Sequence, residues 1–222
     1  MTGNKIEARK EVLNVCQEMQ TAGLVLGSAG NASFRIKDTD MVAITPSSVD
    51  YSCMNADDVL IINLKGDVIE GERNPSTEHP MHLLIYMKRD DVNAIVHTHS
   101  IFASTMAVLG VPLPPIVDEF VVRLGGQVEV AKYGFPGSQE LAQNAIDALG
   151  PRNGVLLANH GAVCCGPTMY DALHNAYLLE RVAQIYLLAK ATGKGTLKTL
   201  PPDAIELQQQ MFEVIKKMKR RG

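Results

Sequence analysis

The chain has 222 residues, of which 46% are hydrophobic and 20% charged, and its formal net charge is −3. This is a globular composition, and the lack of a basic surplus excludes a general nucleic-acid surface, so an anionic ligand needs a local site. No apolar run approaches the roughly 18 residues of a membrane span. The polar start MTGNKIEARKEV is neither a signal peptide nor a membrane anchor, which favours a cytoplasmic protein.

The first half of the chain predicts helices separated by short strands. Apolar residues recur at helical spacing over 6–22, and Gly23 follows as a cap. Short apolar runs bounded by turn residues predict strands at 41–45, 59–64 and 94–99. A helix at 79–88 precedes the last of these strands, and Ser100 is placed to cap the next helix, which continues through Ala107.

The second half predicts two strands and two long helices. VEVAKY at 128–133 and GVLLAN at 154–159 have the pattern of strands. A long helix is predicted at 170–192, and Asp203 with Glu206 resembles a capping box for a last helix. Strands and helices mix without strict βαβ alternation. This predicts one α/β domain over residues 1–222, with a mixed, largely antiparallel sheet covered by helices.

The sharpest chemical pattern is IVHTHS at 95–100. Side chains two residues apart on a strand share a face, so His97 and His99 point the same way. Two imidazoles on one face of a rigid strand supply half of a first-row metal site. His160 follows another predicted strand, and Gly161 after it permits a turn that aims the ring inward. The alternative is an ordinary polar pair on a half-buried strand.

Three small-polar segments suit an anion. PSTEHPMH at 75–82 places the carboxylate of Glu78 beside two hydroxyls at the start of a predicted helix, where free N–H groups and the helix dipole favour negative charge. GSAGNAS at 27–33 and TPSS at 45–48 offer backbone N–H and hydroxyl groups, although neither matches a Walker or dinucleotide loop. The alternatives are a helix cap with a solvated acid and two ordinary turns.

Taken in order, GSAGNAS, TPSS, PSTE, HTHS and NHG resemble the class II aldolase/adducin-head family, and within it the L-fuculose-1-phosphate aldolase group. The resemblance extends over nearly the whole chain. It implies a three-layer α/β/α fold and a homotetramer with sites between neighbouring subunits. It also implies a divalent metal and a sugar-phosphate substrate. The metal is expected to be zinc, although manganese or cobalt also suits such a donor set.

The resemblance also implies roles for individual residues. His97, His99 and His160 would bind the metal, and Glu78 would be a fourth ligand that becomes the acid/base when substrate displaces it. The substrate phosphate would be held by residues of the three small-polar segments, namely Gly30, Asn31, Ser47, Ser48, Ser76 and Thr77. The implied reaction is reversible cleavage of a ketose 1-phosphate to dihydroxyacetone phosphate and an aldehyde.

The chain departs from the fuculose-phosphate pattern at one functional position. That group has a tyrosine shortly before a Gly-Gly pair, whereas this chain reads VDEFVVRLGG with Glu119 in its place. The late tyrosine of the family's C-terminal tail is also absent, because the last tyrosine here is Tyr186. Glu119 is therefore predicted as the second catalytic acid/base. The alternative is a surface acid at a helix start.

Two other enzyme activities, a non-enzymatic role and several structural residues are the alternatives to this interpretation. Glu119 in place of the tyrosine also suggests an alternative activity, dehydration of a methylthioribulose-type phosphate. A sugar-phosphate 4-epimerase is disfavoured because that group tends to have aspartate where Glu78 stands, and a non-enzymatic adducin-like head is disfavoured because all metal ligands are present. His82 and His174 lie on predicted helices and are interpreted as structural. The tail KKMKRRG at 216–222 is interpreted as a solvated helix end, with steering of phosphate as the alternative.

Overall fold

A mixed β-sheet lies at the centre of the fold. The computed structural model describes residues 2–220. Its strands are β1 (Asn31–Arg35), β2 (Met41–Ile44), β3 (Leu60–Asn63), β4 (Val68–Glu70), β5 (Ala94–Thr98), β6 (Val130–Ala131), β7 (Gly154–Leu157) and β8 (Gly161–Gly166). They lie in the order β4-β3-β2-β1-β5-β8-β7-β6. Neighbouring strands pair antiparallel, except β6 and β7, which pair parallel.

Helices cover both faces of this sheet. They are α1 (Thr2–Thr21), α2 (His79–Lys88), α3 (Ile101–Leu109), α4 (Asp118–Leu124), α5 (Gln139–Leu149), α6 (Met169–Ala191) and α7 (Pro202–Arg220), with a short 3-10 helix at Ala56–Asp58. One apolar core lies between the sheet and α1, α3, α4 and α6, and a second lies between the opposite face and α2 and α5. The predicted three-layer α/β/α fold is therefore confirmed. Over residues 2–220, no helix combines the length and hydropathy needed to cross a membrane.

The inner strand β5 positions the site, and its side chains alternate between the two cores. Ala94 and Val96 belong to the core beneath α1 and α6, whereas Ile95 belongs to the core beneath α2. Because side chains two residues apart share a face, His97 follows Ile95 onto the α2 side. The adjacent strand β1 places Asn31 opposite His97 in register. The sheet thus presents Asn31 and His97 side by side toward helix α2.

Three local features differ from the sequence prediction. The segment 27–33, interpreted as a loop, contains the start of β1, because Ala32 is buried and its strand pairs with both β2 and β5. The predicted strand at 128–133 is reduced to the two residues of β6, at one edge of the sheet. The capping-box prediction is wrong, because α7 begins at Pro202 and Asp203 therefore lies inside its first turn.

The N terminus of α3 is capped from another helix. Ser100 stands at the N-cap, as predicted, but its side chain makes no capping hydrogen bond. Instead, the backbone N–H groups of Phe102 and Ala103 donate to the two carboxylate oxygens of Glu180 on α6, at 2.9 and 2.8 Å. A carboxylate at this position also interacts favourably with the helix dipole. Glu180 therefore secures the helix that begins directly after the predicted metal-binding strand.

The basic C-terminal helix is held by acids. Lys216 lies 3.1 Å from a carboxylate oxygen of Asp91, and Lys219 donates to Asp171 at 2.6 Å. These two lysines of the tail therefore have carboxylate partners, which favours a structural role for them over the steering of phosphate. The last two residues of the predicted basic tail, Arg221 and Gly222, lie outside the described residues.

Candidate active site

Three imidazoles converge at the carboxyl end of β5. His97 lies within that strand, His99 just follows it, and His160 occupies the turn between β7 and β8. The centroid of the His97 ring lies 4.7 Å from those of the other two rings, which are 5.0 Å apart. The ligand nitrogens all lie within 4.8 Å of one another. The structure thus brings together the three residues predicted to bind a metal.

Two glycines let the backbone close tightly around this cluster. A Cβ at Gly161 would lie 2.3 Å from the carbonyl oxygen of Thr98 and 3.0 Å from the ring of His99. A Cβ at Gly30, whose φ is +72°, would lie 2.4 Å from the carbonyl oxygen of His97. Side chains cannot be accommodated at such distances, so both positions require glycine. Gly30, predicted to bind phosphate, therefore packs directly against the strand that carries His97.

A backbone hydrogen bond sets the orientation of His97. Its Nδ1–H donates to the carbonyl oxygen of Ala162 on β8 at 2.9 Å. Since a carbonyl can only accept, the neutral ring keeps its lone pair on Nε2. This Nε2 atom faces the cluster and lies 2.9 Å from Nε2 of His99. Metal-binding histidines commonly have such a partner on the nitrogen that does not bind the metal.

Glu78 closes the cluster from the start of α2. It is the N-cap residue of that helix, and Oε2 lies 3.1 Å from Nε2 of His97 while Oε1 lies 3.6 Å from Nε2 of His160. Asn31 Nδ2 donates to Oε2 at 2.8 Å. The other oxygen, Oε1, is buried and makes no hydrogen bond within the described part of the chain. The carboxylate therefore faces the three imidazoles with one oxygen unsatisfied.

These donors fit a divalent metal ion. A buried carboxylate oxygen without a hydrogen bond is costly, and a cation in front of it would offset that cost. Three imidazoles and one carboxylate form a donor set that suits zinc and is also compatible with manganese or cobalt. The residues that would hold the ion are those predicted from the sequence, His97, His99, His160 and Glu78.

The charges of the cluster are coupled. Burial acts to raise the pKa of Glu78, but His97, His160 and the hydrogen bond from Asn31 together hold that pKa well below its usual range. Burial acts to lower the pKa of His97, but the neighbouring carboxylate outweighs it and the pKa rises. Burial and the adjacent His97 lower the pKa of His99 to about 3 and that of His160 to about 4. In the metal-free protein, His97 is therefore the imidazole of the three that gains its second ring proton at the highest pH.

We expect metal binding to release about one proton at a pH well above the His160 pKa of about 4 and below the raised pKa of His97. His97 must lose its proton before Nε2 can bind, whereas His99 and His160 are already neutral there. Affinity should therefore rise with pH up to the pKa of His97 and level off above it. Calorimetric titration with Zn²⁺ in buffers of different ionisation enthalpy measures the proton count. Release of two or three protons would contradict these protonation states.

The two hydroxyl-bearing loops lie side by side at the start of α2. Pro46 and Pro75 form an isolated antiparallel bridge, and the Ser76 N–H donates to the carbonyl of Thr45 at 2.9 Å. This pairing joins TPSS to PSTE beside Glu78. Of the four hydroxyl-bearing residues predicted to bind phosphate in these loops, one is buried and the other three are at least partly exposed. These residues are Ser76, Ser47, Ser48 and Thr77. Their role in holding a phosphate stays a prediction.

The side chain of Asn31 is occupied within the protein. It is 3% exposed, its Nδ2 donates to Glu78, and its Oδ1 lies 2.5 Å from Nε2 of His82. Its predicted contact with phosphate is therefore untested, and in the structure it supports the carboxylate of Glu78. His82, interpreted from the sequence as structural, belongs to this hydrogen-bonded arrangement. Its position four residues after Glu78, on the same face of one helix, is the signal that could have indicated it.

Glu119 lies apart from the cluster of its own chain. It is in the first turn of α4 with its side chain 56% exposed, and Oε1 lies 3.4 Å from Nε2 of His174 on α6. Within residues 2–220, no hydrogen bond or ion pair joins it to Glu78 or to the three converging histidines. Its predicted role as a second acid/base stays a prediction.

The sequence of this chain is similar to those of known class II aldolases. The family model described as Class II Aldolase and Adducin N-terminal domain matches residues 10–187. A 5-deoxy-D-ribulose 1-phosphate aldolase from Bacillus thuringiensis serovar kurstaki is 41% identical, over 92% of this chain and 95% of that protein. A 5-methylthioribulose-1-phosphate/5-deoxyribulose-1-phosphate aldolase from Rhodospirillum rubrum is 32% identical, over 96% of this chain and 94% of that protein.

A solved structure agrees with these relatives. An L-fuculose 1-phosphate aldolase superposes with a TM-score of 0.89 at 35% identity, covering 93% of this chain and 96% of the other. The matched span includes all four residues of the candidate metal centre. The chain therefore belongs to the class II aldolase and adducin N-terminal domain family, and it is an enzyme of the aldolase branch.

Proposed function

We propose that this enzyme cleaves a 5-deoxyketose 1-phosphate between C3 and C4, giving dihydroxyacetone phosphate and a short aldehyde. With 5-deoxyribulose 1-phosphate the aldehyde would be acetaldehyde. The observation that carries the proposal is the buried carboxylate of Glu78, with one oxygen unsatisfied, facing three imidazoles beside two paired hydroxyl loops. The substrate class is supported by the 41% identical relative, whose name specifies 5-deoxy-D-ribulose 1-phosphate.

In the proposed reaction, the metal polarises the substrate, and residues of the protein transfer the proton and bind the phosphate. A divalent ion, which we propose to be zinc, would polarise the carbonyl and hydroxyl oxygens at C2 and C3 of the ketose. Glu78 is ionised because its pKa is low, so in the direction of carbon–carbon bond formation it can take the C3 proton of dihydroxyacetone phosphate. In cleavage, the protonated carboxyl returns a proton to C3. We assign to Glu78 the proton at C3 of dihydroxyacetone phosphate, and to the paired loops the binding of the phosphate through hydroxyl and N–H groups. Both assignments follow from the position of Glu78 between the imidazoles and those loops.

A second acid/base is needed at the C4 hydroxyl, which becomes the aldehyde. We propose Glu119 for this role. Because no hydrogen bond or ion pair within residues 2–220 joins Glu119 to the metal cluster, we propose that it acts at the site of a neighbouring subunit of a homotetramer. Two large apolar side chains near the cluster, Leu26 and Ile101, are 86% and 72% exposed, which suits an interface at this place. Multi-angle light scattering should find a tetramer; a fully active monomer would contradict the proposal.

A product assay tests the reaction. The zinc-loaded enzyme is incubated with 5-deoxy-D-ribulose 1-phosphate, 5-methylthioribulose 1-phosphate and L-fuculose 1-phosphate, and a chelator-treated sample is the control. We expect dihydroxyacetone phosphate from the first with the highest kcat/KM, together with acetaldehyde. Loss of water without dihydroxyacetone phosphate would establish the dehydratase instead. A change of configuration at C4 without cleavage would establish the epimerase.

A further inference from the structure

A chain of buried polar side chains extends from Glu78 away from the metal cluster. Asn31 Nδ2 donates to Glu78 at 2.8 Å, and Asn31 Oδ1 lies 2.5 Å from Nε2 of His82. The other ring nitrogen of His82 lies 2.6 Å from the hydroxyl of Ser33, which is 2.8 Å from the hydroxyl of Tyr86. His82 and Ser33 are 0% exposed and Tyr86 is 2% exposed. This series of hydrogen-bonded side chains therefore lies in the protein interior, where each donor needs an acceptor and each acceptor a donor.

The charge on Glu78 sets the direction of the hydrogen bonds that lead from Glu78 through Asn31 and His82 to Ser33. An ionised carboxylate can only accept, so the Asn31 atom that faces it must be the NH2 group. The Asn31 carbonyl then faces His82 and also only accepts, so Nε2 of His82 must carry hydrogen. Burial, together with the nearby His97, lowers the pKa of His82 to about 3, so the ring is neutral. Its Nδ1 must therefore accept from the hydroxyl of Ser33.

We propose that His82 is a positioning residue for the acid/base: its Nε2–H holds the amide of Asn31 in the one orientation that donates to Glu78. This inference rests on the proposed role of Glu78. Without a donor at this position, the carbonyl of Asn31 is left buried and unpaired, so the amide is free to move away from Glu78. Glu78 then loses a hydrogen bond that holds Oε2 beside His97 and leaves Oε1 facing the other imidazoles.

The backbone supports this arrangement from two sides. Asn31 and Ser33 are two residues apart on β1, so both side chains point toward α2. Glu78 and His82 are four residues apart at the start of α2, so they lie on one side of the helix. His82 thus spans the gap between strand and helix at the level of the carboxylate. An apolar residue of equal volume would fill this space but would leave the carbonyl of Asn31 without a donor.

Three substitutions separate positioning from packing. His82→Gln keeps a donor near the place of Nε2, His82→Asn reaches only the place of Nδ1, and His82→Phe keeps volume without a donor. For His82→Asn and His82→Phe we expect kcat to fall by about 10- to 100-fold, with a smaller change in KM. His82→Gln should recover most of that loss. Thermal unfolding of each variant identifies any that do not fold.

Two further measurements do not depend on turnover. Titration with Co²⁺, followed by its visible spectrum, should show affinity reduced by about 10- to 100-fold in His82→Asn but not in His82→Gln. Long-range ¹H–¹⁵N spectra of the wild-type protein should show His82 as the Nε2–H tautomer, with the assignment made from the signals missing in His82→Gln. Detection of the Nδ1–H tautomer would overturn the proposal.

A double-mutant cycle tests the path through Asn31. In an Asn31→Ala background, His82→Asn should lower kcat by less than about threefold, because the connection is already broken. Additive losses would overturn the proposal, as would equal activity of His82→Asn and wild type, or failure of His82→Gln to recover activity. If no ketose 1-phosphate is cleaved, the proposed function fails, while the tautomer and the Co²⁺ affinities still decide the role of His82.

Discussion

Glu78→Gln is expected to lower kcat by roughly 10²–10⁴-fold while leaving the protein folded, the range typical of general acid–base groups. Glutamine has nearly the same shape and can accept from Asn31 through its oxygen, but it cannot take a proton. Cleavage of the ketose phosphate and exchange of the C3 proton of dihydroxyacetone phosphate with solvent should both be lost. Steady-state kinetics and proton exchange followed by NMR measure the two reactions separately.

The matched control for this variant is Glu206→Gln, which makes the same chemical change at an exposed acid near the start of α7. That variant should retain full activity. Zinc content and thermal unfolding of both variants should be compared with wild type, because Glu78 is also a proposed metal ligand. Near-wild-type turnover of zinc-loaded Glu78→Gln would return Glu78 to the role of a helix-start acid.

Glu119→Gln is expected to separate the two halves of the reaction. Cleavage needs a base at the C4 hydroxyl and should fall by about 10²–10⁴-fold. Proton exchange at C3 needs only the metal centre and Glu78, so it should persist. Glu119 is exposed and contacts His174, so the substitution should cost little stability. Equal loss of both reactions, or loss of neither, would show that Glu119 has a different role.

Mixed oligomers test whether Glu119 acts across subunits. Glu119→Gln and His160→Ala are each expected to be inactive in cleavage. If the two side chains that form one site come from different subunits, random hybrids contain about one intact site in four, and activity returns on mixing. If Glu119 acts within its own chain, no hybrid has an intact site and mixing restores nothing. Subunit exchange should be verified with a tagged chain.

The local elements of the fold follow from periodicity, whereas the pairing of the strands does not. The predicted helix at 79–88 matches α2 at both ends, because its apolar spacing and the turn residues around it are local signals. By contrast, β1 pairs with β5, which brings Asn31 opposite His97 from a distant part of the chain. No local pattern specifies that register. The local pattern of GSAGNAS therefore predicts a loop, although the segment leads into an inner strand.

The same distinction applies to the candidate site. His97 and His99 could be assigned because two residues of one strand necessarily share a face, and His160 because of the motif that contains it. His82 could not be assigned, since its role depends on a contact with Asn31 that exists only once helix and strand are packed. Glu119 could be selected by its place in the family pattern, but its contact in the structure is with His174, so its catalytic role stays a prediction.

The cap on α3 has a consequence for how a substrate lies in the site. The first N–H groups of that helix follow directly after His99 and Ser100, and the carboxylate of Glu180 accepts from two of them. A second negative group arriving there would meet an internal anion and be repelled. Under the proposed function, this leaves the hydroxyl loops beside Glu78 as the place where a phosphate would bind. In the proposed reaction, a small ketose phosphate would therefore bind with its phosphate toward those loops and its aldehyde-forming end directed away from them.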